Sequence, residues 1–127
     1  MIRRSHWTLL LGAALFTSGC ASDYWVALTT ISDAPPSVQV NRSRIEIPAG
    51  LAVGVRAEAM EDDERTGQQV DFVPVRAGII GIEQALENDE WVIYGVSPGN
   101  TDVEVWFDDE LVAEMPAVIT EQHPPKP

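Results

Sequence analysis

Trp91-Val92-Ile93-Tyr94-Gly95-Val96-Ser97-Pro98-Gly99-Asn100-Thr101-Asp102-Val103-Glu104-Val105-Trp106-Phe107 is the stretch on which the fold turns. Its first part, Trp91 to Val96, is almost entirely aromatic or β-branched, the composition of a strand. Ser97-Pro98-Gly99-Asn100 then forms a strong turn signal: Pro98 fixes the approach and Gly99 supplies a positive φ. Beyond it Val103, Val105 and Phe107 alternate with Asp102, Glu104 and Trp106, the period-two pattern of a half-buried strand.

The same grammar extends in both directions. Asp108-Asp109 reads as a hairpin turn into Leu111–Ile119, interrupted by Pro116. Upstream, Val38 and Val40 open one run, and Ile45 and Ile47 another that closes at Pro48-Ala49-Gly50. Leu51, Val53, Val55, Ala57 and Ala59 alternate with Ala52, Gly54, Arg56 and Glu58. Glu61–Gly67 reads as a charged loop. Val70, Phe72, Val73 and Val75 form a further strand, with Pro74 predicting an edge position or a bulge. Ile79-Ile80-Gly81-Ile82 is short and β-branched, while Glu83–Glu90 has room for one helical turn at most. Short strands at regular spacing with turn signals between them predict an all-β fold, an antiparallel β-sandwich of about seven strands over residues 37–121.

This order resembles the bacterial Ig-like domain of group 2, common in surface proteins and intimin-like adhesins. Ile45-Glu46-Ile47-Pro48-Ala49-Gly50 stands where the family has an apolar strand ending in Gly, and Val53-Gly54-Val55-Arg56-Ala57 is similar to its second strand. Val92–Val105 resembles the family's apolar strand, Pro-Gly turn and alternating second strand. Phe72 stands where the family often has Trp. The resemblance implies an Ig-like sandwich used for binding or spacing, with no chemistry of its own.

The chain's N-terminus carries a different message. Arg3 and Arg4 precede the apolar run Trp7–Phe16, and Thr17-Ser18-Gly19-Cys20 follows, with the sole cysteine of the chain at its end. A basic start, a short apolar stretch and small residues at a cut site make a secretory signal over residues 1–19. The run is too short for a span, which needs about 20 apolar residues. A lone cysteine in an exported chain is a lipidation site, a free thiol or an intermolecular disulfide partner. Ser18-Gly19-Cys20 resembles the lipobox of bacterial lipoproteins, which implies cleavage before Cys20 and its acylation. Two or more acyl chains anchor stably, each buried methylene contributing about 0.8 kcal/mol. Ala21, where an Asp favours the inner membrane in enteric lipoproteins, implies the outer membrane. Residues 20–36, ending in Pro35-Pro36, read as a lipidated N-terminus and tether. Tyr24 and Trp25 within them either rest at the headgroup level or pack on the domain and start a strand. Residues 122–127 read as a Pro-rich disordered tail.

Charge narrows the partners. The formal charge is −12, and loss of Arg3 and Arg4 with the signal makes it −14. Such a surface repels phosphate, which excludes nucleic acid and leaves membrane affinity to the anchor on Cys20. Histidine-based catalysis lacks its base, since His6 leaves with the signal and His123 lies in the tail, and the abundant carboxylates are read as an acidic surface rather than as an acid–base pair. There is no glycine-rich phosphate loop and no His–Glu zinc pattern. No catalytic, cofactor-binding or metal residue is assigned. Asp62-Asp63-Glu64, Asn88-Asp89-Glu90 and Asp108-Asp109-Glu110 are either solvated loops or, if strand ends bring two together, oxygen ligands for calcium. EF-hand spacing fails, since counting from Asp62 puts Val73 where Glu is needed. Trp106 is the one candidate contact residue. Period-two geometry turns it outward between Glu104 and Asp108, either as an interface anchor or as a ring covered by another segment. The expectation is a non-catalytic binding or accessory module for an envelope protein. The alternatives are an adhesive or structural surface module and a calcium-dependent binding domain.

Overall fold

A computed structural model describes residues 22–122 as ten strands, with no helix among the described residues. They are β1 (Tyr24–Thr30), β2 (Gln39–Asn41), β3 (Arg44–Pro48), β4 (Ala52–Glu61) and β5 (Glu64–Arg65). The chain continues through β6 (Val70–Pro74), β7 (Ile80–Gln84), β8 (Glu90–Gly95), β9 (Gly99–Phe107) and β10 (Glu110–Thr120). One sheet has the order β1-β4-β8-β7, with β5 paired to the end of β4, and the other β2-β3-β10-β9-β6.

These two sheets form the expected Ig-like sandwich. The layout A-B-E-D facing C-F-G of such domains maps onto β1-β4-β8-β7 facing β6-β9-β10, with β3 beside β10. The ten strands exceed the expected seven because the first position is divided between β1 and β3 and because β2 and β5 are short hairpin partners. The pairing is not wholly antiparallel. β3 runs parallel to β10, with Ile45 opposite Ala117 and Ile47 opposite Ile119, because both strands run toward the same end of the sandwich.

The tether expected over residues 20–36 is corrected in its middle. Tyr24–Thr30 pairs with β4 along its whole length, from Tyr24 opposite Glu61 to Thr30 opposite Val55. Val26 is buried in the core, so the sandwich takes in residues well before Ser37. The reason is that β4 would otherwise leave one row of backbone N–H and C=O groups unpaired along its length. Of the two readings of Tyr24 and Trp25, the strand is the one observed.

The expected charged loop is more ordered than its composition suggested, and the expected turn joins strands of different sheets. Glu61–Gly67 is the tip of a hairpin, in which Glu61 faces Glu64 and Asp62 takes a φ of 53°. Ser97–Pro98 does not close a hairpin, because β8 and β9 lie in opposite sheets. The turn carries the chain across the sandwich, and Gly99, at φ 153°, lies against the Ile79 side chain. Pro74 ends β6 on the open edge of its sheet, as expected of a proline. Between the sheets Ile45, Val55, Ile93, Val105 and Phe107 are fully enclosed. Phe72 and Trp91 meet edge to face at 5.2 Å across this interior.

Candidate functional site

The strand directions gather the acidic segments at one end of the molecule. β1 starts there, β4 finishes there, and the β9–β10 hairpin turns there at Asp108-Asp109, where Phe107 faces Glu110. Asp108 adopts the same φ of 53° as Asp62, a conformation short polar side chains tolerate. Tyr24, Glu61, Phe107 and Glu110 line one depression at this end. A larger open cleft of about 430 Å³ runs beside it, lined by Glu58, Arg65, Gln68, Asn88, Asp89 and Asp108 among others.

The acidic segments thus share an end without forming an ion cage. Among the described residues no group of three or more His, Cys, Asp or Glu side chains comes together in a metal-holding arrangement. Two of these carboxylates, and Glu58 beside them, have basic partners instead. Arg56 reaches Asp89 and Glu90 at 3.3 Å each, and Arg65 reaches Glu58 at 2.7 Å. The Asp108 carboxylate accepts the Gln69 backbone N–H at 3.2 Å and so ties the hairpin to the start of β6.

The start of β1 is fastened at this same end. The Asp23 N–H donates to Asp62 Oδ1 at 3.0 Å, and the Asp62 N–H donates to the Asp23 carbonyl at 2.7 Å. Trp25 donates its indole N–H to the Asp62 carbonyl at 2.7 Å, while the Arg42 guanidinium lies 4.2 Å above its ring. Arg42 also approaches Asp23 at 3.7 Å. The sequence held a signal for this clamp in the β-forming run Tyr24–Thr30, but the partners stand far along the chain. The Tyr24 hydroxyl donates to Glu61 Oε2 at 3.3 Å. The charge of Glu61, followed by burial, that hydrogen bond and the charges of Glu110 and Asp62, raises the Tyr24 phenol above its ordinary pKa.

Trp106 lies where the alternation placed it, on the outer face of the β6-bearing sheet and half-buried. Its cross-strand neighbours are Leu111 and Asp71, and its indole N–H donates to Glu104 Oε1 at 3.2 Å. A bulge in β10 falls beside it, between Leu111 and Ala113. With Val73 exposed on the diagonal, Trp106 and Leu111 make a small apolar spot among Asp71, Glu104 and Glu114. Trp91, by contrast, is enclosed in the core. Cys20, the signal segment 1–19 and His123 lie outside the described residues.

The fold defines the class: an all-β sandwich of Ig-like arrangement. No protein-family model matches the chain, and no curated protein matches it. Among solved structures it is similar to the crystal structure of domains 4 and 5 of the S-layer protein SbsC, with a TM-score of 0.51 at 9% identity. The alignment covers 72% of this chain and 54% of that one, so the chain spans about half of that fragment. At that identity the likeness is one of fold.

Proposed function

We propose that this chain is a bacterial lipoprotein, acylated at Cys20 and held at the outer membrane, whose Ig-like domain is a non-catalytic accessory module that binds another envelope protein. The observation that carries the reading is the order basic start, short apolar run, Thr17-Ser18-Gly19-Cys20, standing directly before a strongly acidic β-sandwich. The domain's most distinctive surface feature suits contact rather than catalysis. Trp106 with Leu111 and Val73 offers an aromatic and aliphatic spot rimmed by carboxylates, which fits a partner with an apolar hollow and basic edges.

The test is crosslinking of the tagged, membrane-anchored protein in cells, followed by identification of what is captured. One dominant partner is expected, and its capture falls sharply with Trp106→Ala. Capture indifferent to Trp106→Ala would place the contact elsewhere. Cys20→Ala is expected to release the protein from the membrane fraction, and retention with unchanged mobility would remove the lipoprotein reading.

A second reading, a structural module of the cell surface, has one observation behind it: the fold-level likeness to S-layer domains. It predicts no dominant partner and capture of many abundant surface components.

A further inference from the structure

The strand pairing of Tyr24–Thr30 leaves almost no chain between the anchor and the folded domain. Asp23 is fixed to Asp62 by two hydrogen bonds, Tyr24 is paired with Glu61, and Trp25 is bonded to the Asp62 carbonyl. From Cys20 to Asp23 there are only Ala21 and Ser22. Even fully extended, that stretch spans about 11 Å between Cα atoms. β10 alone, the 11 residues Glu110–Thr120, runs for about 35 Å at strand rise. A tether about a third of the domain's length cannot turn the domain over.

We propose that the end of the sandwich bearing Glu61–Glu64 and the Asp108-Asp109 hairpin is the membrane-facing surface of the domain, set against phospholipid headgroups without a spacer. This rests on the lipid-anchored reading of Cys20. The occupant of the surface is dictated by where the chain is fastened, not by attraction. Glu61, Asp62, Asp63, Glu64, Asp109 and Glu110 put negative charge toward the bilayer, and anionic headgroups repel it over about a Debye length, ~10 Å at 0.1 M salt. Acyl chains hold the end in place against that repulsion, because their transfer free energy does not depend on the protein's charge. The opposite end, where β10 finishes at Thr120 and the Thr120 carbonyl accepts the Ala49 N–H at 2.8 Å, points away from the membrane and carries the exit of the chain.

The test uses the full-length lipidated protein in vesicles of phosphatidylcholine and phosphatidylglycerol that contain a small fraction of nickel-chelating headgroup lipid. A nitroxide is attached at Asp63→Cys, on the proximal hairpin tip, or at Glu121→Cys, at the far end. Both positions are exposed, and acylation blocks the Cys20 thiol from labelling. Relaxation by headgroup nickel is expected to be several-fold stronger at position 63 than at 121. A flexible Gly-Ser insert of about ten residues between Ser22 and Asp23 should remove the difference, since such a linker lets the domain tumble. Equal relaxation at both positions, with the protein still bound to vesicles, overturns the apposition and leaves the anchor standing. Unchanged membrane retention of Cys20→Ala in cells overturns the anchor itself, and the apposition with it.

Discussion

Two tryptophans, one buried and one half-buried, carry opposite hydrogen-bonding fates. Trp91 is buried and its indole N–H has no partner among the described residues, a penalty of about 1–3 kcal/mol. It persists because the ring fills the interior and meets Phe72 at 88° between planes, a geometry that contributes about 0.5–1.5 kcal/mol. Trp25 is only half-buried, yet its N–H bonds the Asp62 carbonyl and its ring stacks under Arg42. Trp91→Phe is therefore expected to change stability by less than about 1 kcal/mol, because the relief of a stranded N–H offsets the lost volume. Trp25→Phe loses a satisfied bond and is expected to cost about 1 kcal/mol or more. Urea midpoints for the two variants check this, and the reverse order would contradict it. The two tyrosines give a second measurement at this scale. Glu61 raises Tyr24 and Glu83 raises Tyr94, in each case first through its charge and then through burial and a hydrogen bond. A group with a raised folded-state pKa contributes stability that is present below its unfolded value, about 10 here, and lost as pH climbs through the folded value. Stability should decline above pH ~10, and Tyr24→Phe with Tyr94→Phe should flatten that decline. Tyrosinate absorbance rising at the pH of free tyrosine would contradict the assignment.

Among the strands, the alternating runs were legible because each buries one face. Ile45 and Ile47, Val53 through Ala59, and Val103 through Phe107 point inward as their spacing predicted. What periodicity could not supply was partnership. The parallel pairing of β3 with β10 and the crossover at Ser97–Pro98 depend on which sheet a strand joins, and neighbours in sequence say little about that. Pro35-Pro36 behind β1 and the proposed anchor in front of it give this segment the outline of a tether. Its own residues, Tyr-Trp-Val-Ala-Leu-Thr-Thr, are mostly strong β formers, and they were the better guide. β5 is two charged residues long, too short to leave any pattern. Alternation places Trp106 outward, while the Trp25–Arg42–Asp62 clamp leaves no sequence pattern because it joins three distant segments. Gly95 marks where the two sheets are stitched together. It exchanges hydrogen bonds with the β3–β4 connection, accepting from Gly50 N at 2.9 Å and donating to Leu51 O at 3.0 Å. A Cβ there would meet the Pro48 carbonyl oxygen at 2.5 Å and the Ala49 Cα at 3.0 Å, both backbone atoms that cannot swing aside. Gly95→Ala is expected to cost about 1–3 kcal/mol, read as a lowered urea midpoint with an unchanged slope. A neutral outcome would mean that the β3–β4 connection gives way freely.

For the whole molecule, charge and the proposed attachment dominate. A formal charge of −12 loads a small chain with self-repulsion, which salt screens. The melting temperature should rise with ionic strength, and calcium and magnesium at equal ionic strength should raise it equally. A shift specific to calcium would show that the acidic hairpin tips close around an ion after all. The proposed attachment through the β1 end would also limit where a partner can stand. Trp106 lies two residues from Asp108, about 7 Å up the strand from that hairpin, so with this attachment a partner reaching it would work close to the leaflet. Everything said of location rests on Cys20, and the decisive measurement is the mass of the N-terminal peptide of the mature protein taken from the membrane fraction. A peptide beginning at Cys20 and carrying acyl chains is the predicted result. A peptide that begins elsewhere, or a Cys20 with a free thiol, would contradict the proposal that this domain is lipid-anchored.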